Sequence, residues 1–196
     1  MQALETLVIT SFALLAIFAA VPVVLQQIYY YQGIAETRAV TAFLNSLADS
    51  LESDMGAAFA QRVLRVPDLR FGSLTYIVGQ IGTCGGKPVY NTTFVYKSPY
   101  LSAFGMYRGV SWGRVVEAPD SPIAVRGWGT TISMVPRVVK YGNIAVVYNI
   151  TYTAAQGATG AFIYYNLTSP VRCNPSGFSL QGVSDVLVIN VRIEMR

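Results

Sequence analysis

The chain has 196 residues, of which 53% are hydrophobic and only 12% charged, and its formal net charge is +4. A typical soluble domain carries about 25% charged residues, and disordered chains are charge-rich, so the composition excludes disorder for most of the chain and disfavours a freely soluble cytosolic enzyme. The sequence lacks histidine, the commonest general base and metal ligand, and we therefore expect no enzymatic activity, no cofactor and no metal. The small net charge does not indicate nucleic-acid binding, so we also expect no nucleic-acid partner.

The first predicted element is an apolar helix near the N-terminus. The nineteen-residue segment Leu7–Leu25 contains only two polar side chains, Thr10 and Ser11, and no ionisable residue. At about 1.5 Å per residue, it is long enough to cross a hydrocarbon core of about 30 Å. The tyrosines at 29–31 follow shortly after it and are typical of a membrane–water interface.

The next segment has the periodicity of an amphipathic helix. Between Glu36 and Val63, apolar residues recur at spacings of three and four, and polar residues take the other positions. Pro67 then ends the helical pattern. We therefore predict one nearly continuous helix from Met1 to about Val63. The apolar face of its second half consists of Val40, Phe43, Leu44, Leu47, Leu51, Met55, Ala58 and Phe59.

The rest of the chain carries strand signals only. Seven runs rich in Val, Ile, Tyr, Thr and Phe are separated by Gly, Pro, Asn and Ser. In the last run, apolar residues alternate with Asn190, Arg192 and Glu194, as expected of an antiparallel strand with one solvated face. The predicted fold class is therefore α+β, with a long helix in residues 1–65 and an all-β antiparallel sandwich domain in residues 66–196. The predicted strands are Ser73–Ile81, Val89–Lys97, Val110–Glu117, Thr130–Val139, Asn143–Thr153, Gly160–Thr168 and Asp185–Met195.

Two simple interpretations of the N-terminal segment leave features unexplained. A cleavable secretory signal needs a basic region before its apolar core, but no Lys or Arg precedes Arg38, and Glu5 is acidic. A permanent single-pass anchor fits the length. It does not explain a carboxylate beside the apolar run, which costs a few kcal/mol at depth in a membrane, or Pro22 inside the helix.

Met1, Glu5 and Pro22 together resemble the N-terminus of a mature type IV pilin. That family has an apolar helix with a carboxylate at the fifth mature position and often a proline near the twenty-second, and the start MQALE fits this spacing. The β-rich remainder is similar to an archaeal pilin or archaellum filament protein. The resemblance implies that prepilin peptidase removed a leader before Met1 and that pilus assembly machinery handles the subunit. It also implies that Glu5 pairs with the α-amino group of Met1 in a neighbouring copy, and that Pro22 permits a bend in the packed core.

These features predict a structural subunit, the major pilin, of an extracellular type IV pilus-like filament that serves adhesion or motility. Its partners would be many copies of itself. The apolar helix would hold the subunit in the membrane before assembly and pack in the filament core afterwards. An alternative stays open, a single-pass membrane-anchored extracellular β-domain that acts as a binding module. A third possibility is an anchored accessory subunit of an enzyme, such as an electron-transfer domain. The absence of histidine disfavours a copper-binding version of it.

Cys84 and Cys173 are the only cysteines, and both lie in turn-like contexts. If the β-domain is outside the cell, we expect them to form one disulfide, and the alternative is a pair of buried free thiols. Two cysteines so far apart form no recognisable metal motif.

Three asparagines, Asn91, Asn149 and Asn166, begin N-x-Thr sequons. They are the candidate glycosylation sites, as fits an extracellular surface. The alternative is ordinary strand chemistry, in which threonine is common.

The carboxylates of the β half form no catalytic constellation. Asp68, Glu117, Asp120 and Asp185 are scattered along it. Glu117 and Asp120 flank Pro119, and we predict that both lie on a solvated turn.

Overall fold

The structure, a computed structural model, describes residues 2–154 and 162–195. One helix, α1, runs from Gln2 to Ser53, and strands with a 3₁₀ turn at Pro175–Gly177 follow it. The chain is therefore α+β, a long N-terminal helix followed by β-sheets, as the sequence predicts. The strands are β1 (Phe59–Arg65), β2 (Ser73–Cys84), β3 (Lys87–Lys97), β4 (Ala103–Arg108), β5 (Val115–Glu117), β6 (Ile123–Gly129), β7 (Thr131–Pro136), β8 (Val138–Tyr141), β9 (Ile144–Ala154), β10 (Phe162–Cys173) and β11 (Asp185–Met195).

The strands form two sheets that are mainly antiparallel. Sheet A has the order β1-β10-β11-β9-β8-β5, and sheet B has the order β2-β3-β7-β6-β4. Two pairs in sheet A are parallel, β9 with β11 and β5 with β8. The β9–β11 pair is parallel because β11, the last strand, inserts between β9 and β10. It pairs antiparallel with β10 on one side and parallel with β9 on the other.

The second half of α1 lies in the main hydrophobic core. Its apolar side chains form one cluster with inward-facing residues of both sheets. An apolar stripe on a helix must be covered by a partner, and here the two sheets provide it. The helical members of the cluster are Val40, Phe43, Leu44, Leu47, Ala48 and Leu51, all of them on or beside the face that the periodicity predicts.

The helix ends at Ser53, well before the predicted end near Val63. The carboxylate of Asp54 accepts two hydrogen bonds from the guanidinium of Arg62, at 2.7 and 2.6 Å, and this bridge joins the two sides of the turn after the helix. Phe59–Arg65 then forms β1, an edge strand paired with β10. The prediction is wrong here because strand pairing with a distant segment outweighs a local helical spacing.

Sheet B contains two strands that the sequence does not predict, β4 and β6. Glycines interrupt both, at Gly105, Gly127 and Gly129, and glycine weakens a strand signal. The predicted strand Thr130–Val139 is in fact two strands, β7 in sheet B and β8 in sheet A, which separate at Arg137.

Most of the predicted strand Val110–Glu117 is a loop, and only its end, β5, joins a sheet. The backbone N–H groups of Val110 and Ser111 donate to the carboxylate of Asp120 at 2.9 and 3.0 Å. These donors are therefore used by a side chain rather than by a neighbouring strand.

The first half of β11 is buried on both faces. Ile189, Val191 and Ile193 pack in the main core as predicted, but Val186 and Val188 belong to a second cluster on the opposite face. Residues of β8 and β9, of the β2–β3 hairpin near its tip and of the region around the 3₁₀ turn also belong to that cluster. The expected solvated face is therefore confined to the second half of the strand.

Candidate assembly surface

The first half of α1 is exposed along its whole length. Every residue of 3–32 is exposed, and large side chains such as Phe12 and Phe18 leave 70% and 73% of their surface uncovered. By length and composition this helix can cross a membrane. A helix that is apolar on all sides is stable only where apolar material surrounds it. We refer to residues 3–32 as the apolar segment.

The helix enters the β-domain at Gly33. A Cβ at this position would lie 2.5 Å from Cγ of Tyr100, so the absence of a side chain permits the close approach. The ring of Phe71 stands edge-on to Tyr100, with 5.4 Å between centroids, and the ring of Tyr29 lies 6.0 Å from Phe71. These rings fix the level at which the apolar segment leaves the domain.

Glu36, one turn further along, binds α1 to the chain just before β2. Its carboxylate accepts backbone N–H groups of Arg70, Phe71 and Gly72 at 2.6, 3.0 and 2.8 Å, and the hydroxyl of Tyr96 at 2.8 Å. Burial acts to raise the pKa of this carboxyl, but the donors outweigh it and the pKa lies below its ordinary value. The charge of Glu36 is thus held inside the domain.

Acidic residues at the end of α1 are held in the same way. The hydroxyl of Tyr165 donates to Asp54 Oδ2 at 2.5 Å. The hydrogen bonds from Arg62, opposed by burial and reinforced by Tyr165, lower the pKa of Asp54 to about 2. The carboxylate oxygen Oε2 of Glu52 accepts a hydrogen bond from Nη2 of Arg108 at 2.5 Å. The second half of α1 is therefore a fixed part of the β-domain.

Glu5 differs from these acids. It lies in the first turn of α1, is exposed, and has no hydrogen-bond or ion-pair partner within residues 2–154 and 162–195. The helix N-terminus favours its negative charge, but burial of the apolar segment would require a cationic partner for Glu5. The predicted partner position, Met1, lies outside the described residues.

Pro22 lies inside α1, and the helix continues through it. Because proline has no N–H, the carbonyl of Phe18 lacks its usual helical donor. Pro22 and Glu5 are about 25 Å apart along the helix axis at 1.5 Å per residue, so they act at different levels of the apolar segment. A bend at Pro22 within a packed filament stays a prediction.

The predicted disulfide between Cys84 and Cys173 is present, with 5.3 Å between the two Cα atoms and a sequence separation of 89. It joins the tip of the β2–β3 hairpin to the end of β10. A closed loop of this length stabilises a protein by about 4 to 5 kcal/mol in the chain-entropy description. The alternative of two free thiols is therefore wrong.

The three sequon asparagines lie within strands. The side-chain nitrogen of Asn91 donates to the carbonyl of Pro136 at 2.6 Å, and that of Asn149 donates to Asn190 Oδ1 at 2.8 Å. Asn166 lies in the middle of β10. Since an N-linked glycan is attached to this nitrogen, glycans at the first two sites would have to be added before the strands pair. Glycosylation of all three stays a prediction.

The prediction of a solvated turn is wrong for Asp120. Its carboxylate accepts hydrogen bonds from both terminal nitrogens of Arg137, at 3.0 and 2.8 Å, and the Arg137 side chain is only 1% exposed. The bonds from Arg137 hold the pKa of Asp120 well below its ordinary value. Glu117 is exposed, as expected. Nothing local in the sequence marks the buried pair, because its members lie on different segments.

No protein-family model, curated protein or solved structure matches this chain. The structure itself shows a long apolar N-terminal helix followed by a disulfide-linked β-domain, which is compatible with a pilin-like architecture. The helix suggests membrane insertion or a signal sequence. The disulfide suggests an oxidising, extracellular environment.

Proposed function

We propose that the chain is a structural subunit of an extracellular helical filament of the type IV pilin kind. The observation that carries this proposal is the division of α1 at Gly33. Residues 3–32 are mainly apolar and all exposed, whereas residues 33–53 are built into the β-domain. A core of packed copies would cover the first part and leave the β-domains on the outside of the filament.

The apolar segment needs a cover at every stage. Complete burial of one Leu, Ile or Phe side chain stabilises by about 1.5–3 kcal/mol relative to exposure, and ten of the thirty residues of this segment are of these three types. The membrane would provide the cover before assembly and neighbouring copies would provide it afterwards. Prepilin peptidase and the pilus assembly machinery would act between these two states.

Glu5 would set the alignment of neighbouring copies. A carboxylate left unpaired in a low-dielectric core is strongly unfavourable, so copies would pack where Glu5 meets a cation. No Lys or Arg precedes Arg38. The α-amino group of Met1 in a neighbouring copy is therefore the proposed partner.

The test begins with filaments sheared from producing cells, pelleted and imaged by electron microscopy. We expect thin filaments composed mainly of this chain, with the N-terminal residue identified by mass spectrometry. Glu5→Ala should reduce filament yield at least tenfold at an equal amount of subunit in the membrane. Thr10→Ala is the matched control, because the hydroxyl of Thr10 bonds only to carbonyls of its own helix. A wild-type chain found only as a detergent-extracted monomer would contradict the proposal.

A permanently anchored extracellular binding module is the second candidate. It is favoured by the length of the apolar segment, which suffices for one membrane crossing, and by the exposed tyrosines at 29–31 beyond the most apolar part. In that case wild-type cells carry no filaments of this chain, and Glu5→Ala leaves the amount and the location of the protein unchanged.

A further inference from the structure

A groove lies on the face of sheet B that is turned away from the main core. Its volume is about 340 Å³, within the range of small-molecule sites. Residues of β2, β3, β6 and β7 line it, together with Arg114 just before β5 and Val138 of β8. We call it the arginine groove, and its polar side chains include Asn91, Thr93, Arg114, Arg126 and Ser133.

The arginine groove carries positive charge without a compensating acid. The five strands of sheet B, all within the described residues, contain neither Asp nor Glu. In the described part of the chain, Arg114 and Arg126 make no ion pair. Burial, together with the charges of Arg114 and Arg137, lowers the pKa of Arg126 from its ordinary value. A bound anion would relieve this repulsion.

One hydrogen-bond acceptor in the groove also lacks a donor. The side-chain nitrogen of Asn91 bonds to the carbonyl of Pro136, whereas its Oδ1 is buried and has no partner among residues 2–154 and 162–195. A buried acceptor without a donor is unfavourable. It therefore adds an unsatisfied polar atom to the wall of the groove.

An exposed aromatic shelf, formed by Phe104, Trp112 and Trp128, adjoins the groove. The rings of Phe104 and Trp128 are 5.0 Å apart between centroids, and those of Trp112 and Trp128 are 6.3 Å apart. Trp128 leaves 64% of its surface uncovered. The guanidinium carbon of Arg126 lies 5.5 Å from the centroid of the Trp112 ring, so one residue belongs to both the groove and the edge of the shelf.

We propose that the arginine groove and the aromatic shelf together bind a carboxylated saccharide, such as a uronic-acid chain. Arg126 and Arg114 would bind the carboxylate. The exposed ring of Trp128 would pack against the apolar face of a sugar ring. A neutral saccharide would leave the arginines unpaired, and a small inorganic anion would leave the shelf uncovered.

A second copy of this chain is a poorer occupant, because many of its acidic groups are already held by donors of their own chain. The proposal goes beyond the filament function and does not rest on it, since all of the residues concerned lie in the β-domain. The acids that are held internally are Glu36, Asp49, Glu52, Asp54 and Asp120.

The two tryptophans of the chain both lie on the shelf, so tryptophan fluorescence reports on this site alone. The full-length protein, in detergent and produced in a host without N-glycosylation so that Asn91 carries no glycan, is titrated with trigalacturonic acid. We expect saturable quenching, and at least tenfold weaker binding of a neutral galactose trimer at the same ionic strength. Titration calorimetry provides the same dissociation constants independently of the optical signal.

Single-charge variants locate the bound carboxylate. Arg126→Gln should weaken binding of trigalacturonic acid at least tenfold, and Arg114→Gln should weaken it severalfold. Arg192→Gln is the matched control, since it removes an exposed arginine from sheet A and should leave binding unchanged. Melting temperatures are compared among the variants. If Arg126→Gln does not fold, the comparison is made with Arg114→Gln, which changes an exposed residue.

Three outcomes would overturn the proposal. The first is the absence of saturable quenching. The second is equal weakening by Arg126→Gln and Arg192→Gln. The third is equally tight binding of a hexaglutamate peptide, which would show that the groove recognises charge without the sugar. None of these results bears on the filament proposal, which is tested on sheared filaments.

Discussion

Gly33 of α1 lies against the ring of Tyr100 so closely that a methyl group does not fit between them. A Cβ at Gly33 would be 2.5 Å from Cγ and 2.6 Å from Cβ of Tyr100. Both tyrosine atoms are close to their own backbone, so they cannot move aside as the end of a flexible side chain can. This contact holds α1 at the level where its exposed half meets its buried half.

Gly33→Leu should therefore lower the free energy of unfolding by about 1–3 kcal/mol, the usual cost of overpacking. The gain in helix propensity over glycine, at most about 1 kcal/mol, partly offsets that cost. Chemical unfolding of the full-length protein in detergent, followed by circular dichroism, measures the difference. Gly56→Leu is the control, because a Cβ at Gly56 meets nothing within 4 Å. Equal losses for the two variants would contradict the role of the Tyr100 contact.

The helix could be predicted from the sequence, but its end could not. The face that includes Leu44, Leu47 and Leu51 is buried as its spacing indicates. Beyond Ser53 the same spacing continues into Phe59, yet β10 offers this stretch a strand partner far along the chain. A local pattern contains no information about such a partner.

Several long strands, such as β3, β9 and β11, were also predictable, whereas the buried acids were not. Glu36 and Asp54 look like ordinary members of a polar helix face until the loop before β2 and the hydroxyl of Tyr165 come together around them. The arginine groove has the same origin, because Asn91, Arg114 and Arg126 lie on separate segments. Asn91 and Arg126 come together through the order of strands in sheet B, and Arg114 reaches them from the loop before β5.

Asp54 should make the free energy of unfolding depend on pH in the acidic range. Its pKa is about 2 in the folded protein and 3.8 ordinarily, so the stabilisation is complete above about pH 4 and is lost as the pH falls through 2. Unfolding free energies at pH 6 and pH 2.5 should therefore differ less for Asp54→Asn than for the wild type. Asp68→Asn, at an exposed position, should keep the wild-type difference. An unchanged difference in Asp54→Asn would exclude the ion pair as its source.

The Asp120–Arg137 pair should be among the most sensitive points of the β-domain. Asp120→Ala leaves the guanidinium of Arg137 buried without a counter-charge, and removal of one partner of a buried pair costs about 3–5 kcal/mol. Equilibrium unfolding at neutral pH measures this loss. Asp68→Ala removes an exposed carboxylate and should change stability by less than about 0.5 kcal/mol. A loss below about 1 kcal/mol in Asp120→Ala would show that the pair is solvated in solution.

Loss of the disulfide should destabilise the protein most strongly at the tip of the β2–β3 hairpin. The double variant Cys84→Ser/Cys173→Ser should unfold with a free energy lower by about 4 to 5 kcal/mol, because the unfolded chain regains its loop entropy. The tip should still pack on its neighbours in the folded state, since Gly82 lies so close to the ring of Phe178 that a Cβ does not fit between them. In the double variant, amides of the hairpin tip should exchange faster than those of residues 33–53 of α1, whose side chains fill the main core and which exchange only by global unfolding. A reductant should lower the unfolding free energy of the wild type by the same amount and leave the double variant unchanged.

Equal hydrogen-exchange rates in the hairpin tip and in residues 33–53 would instead show that the tip and the core unfold as one unit.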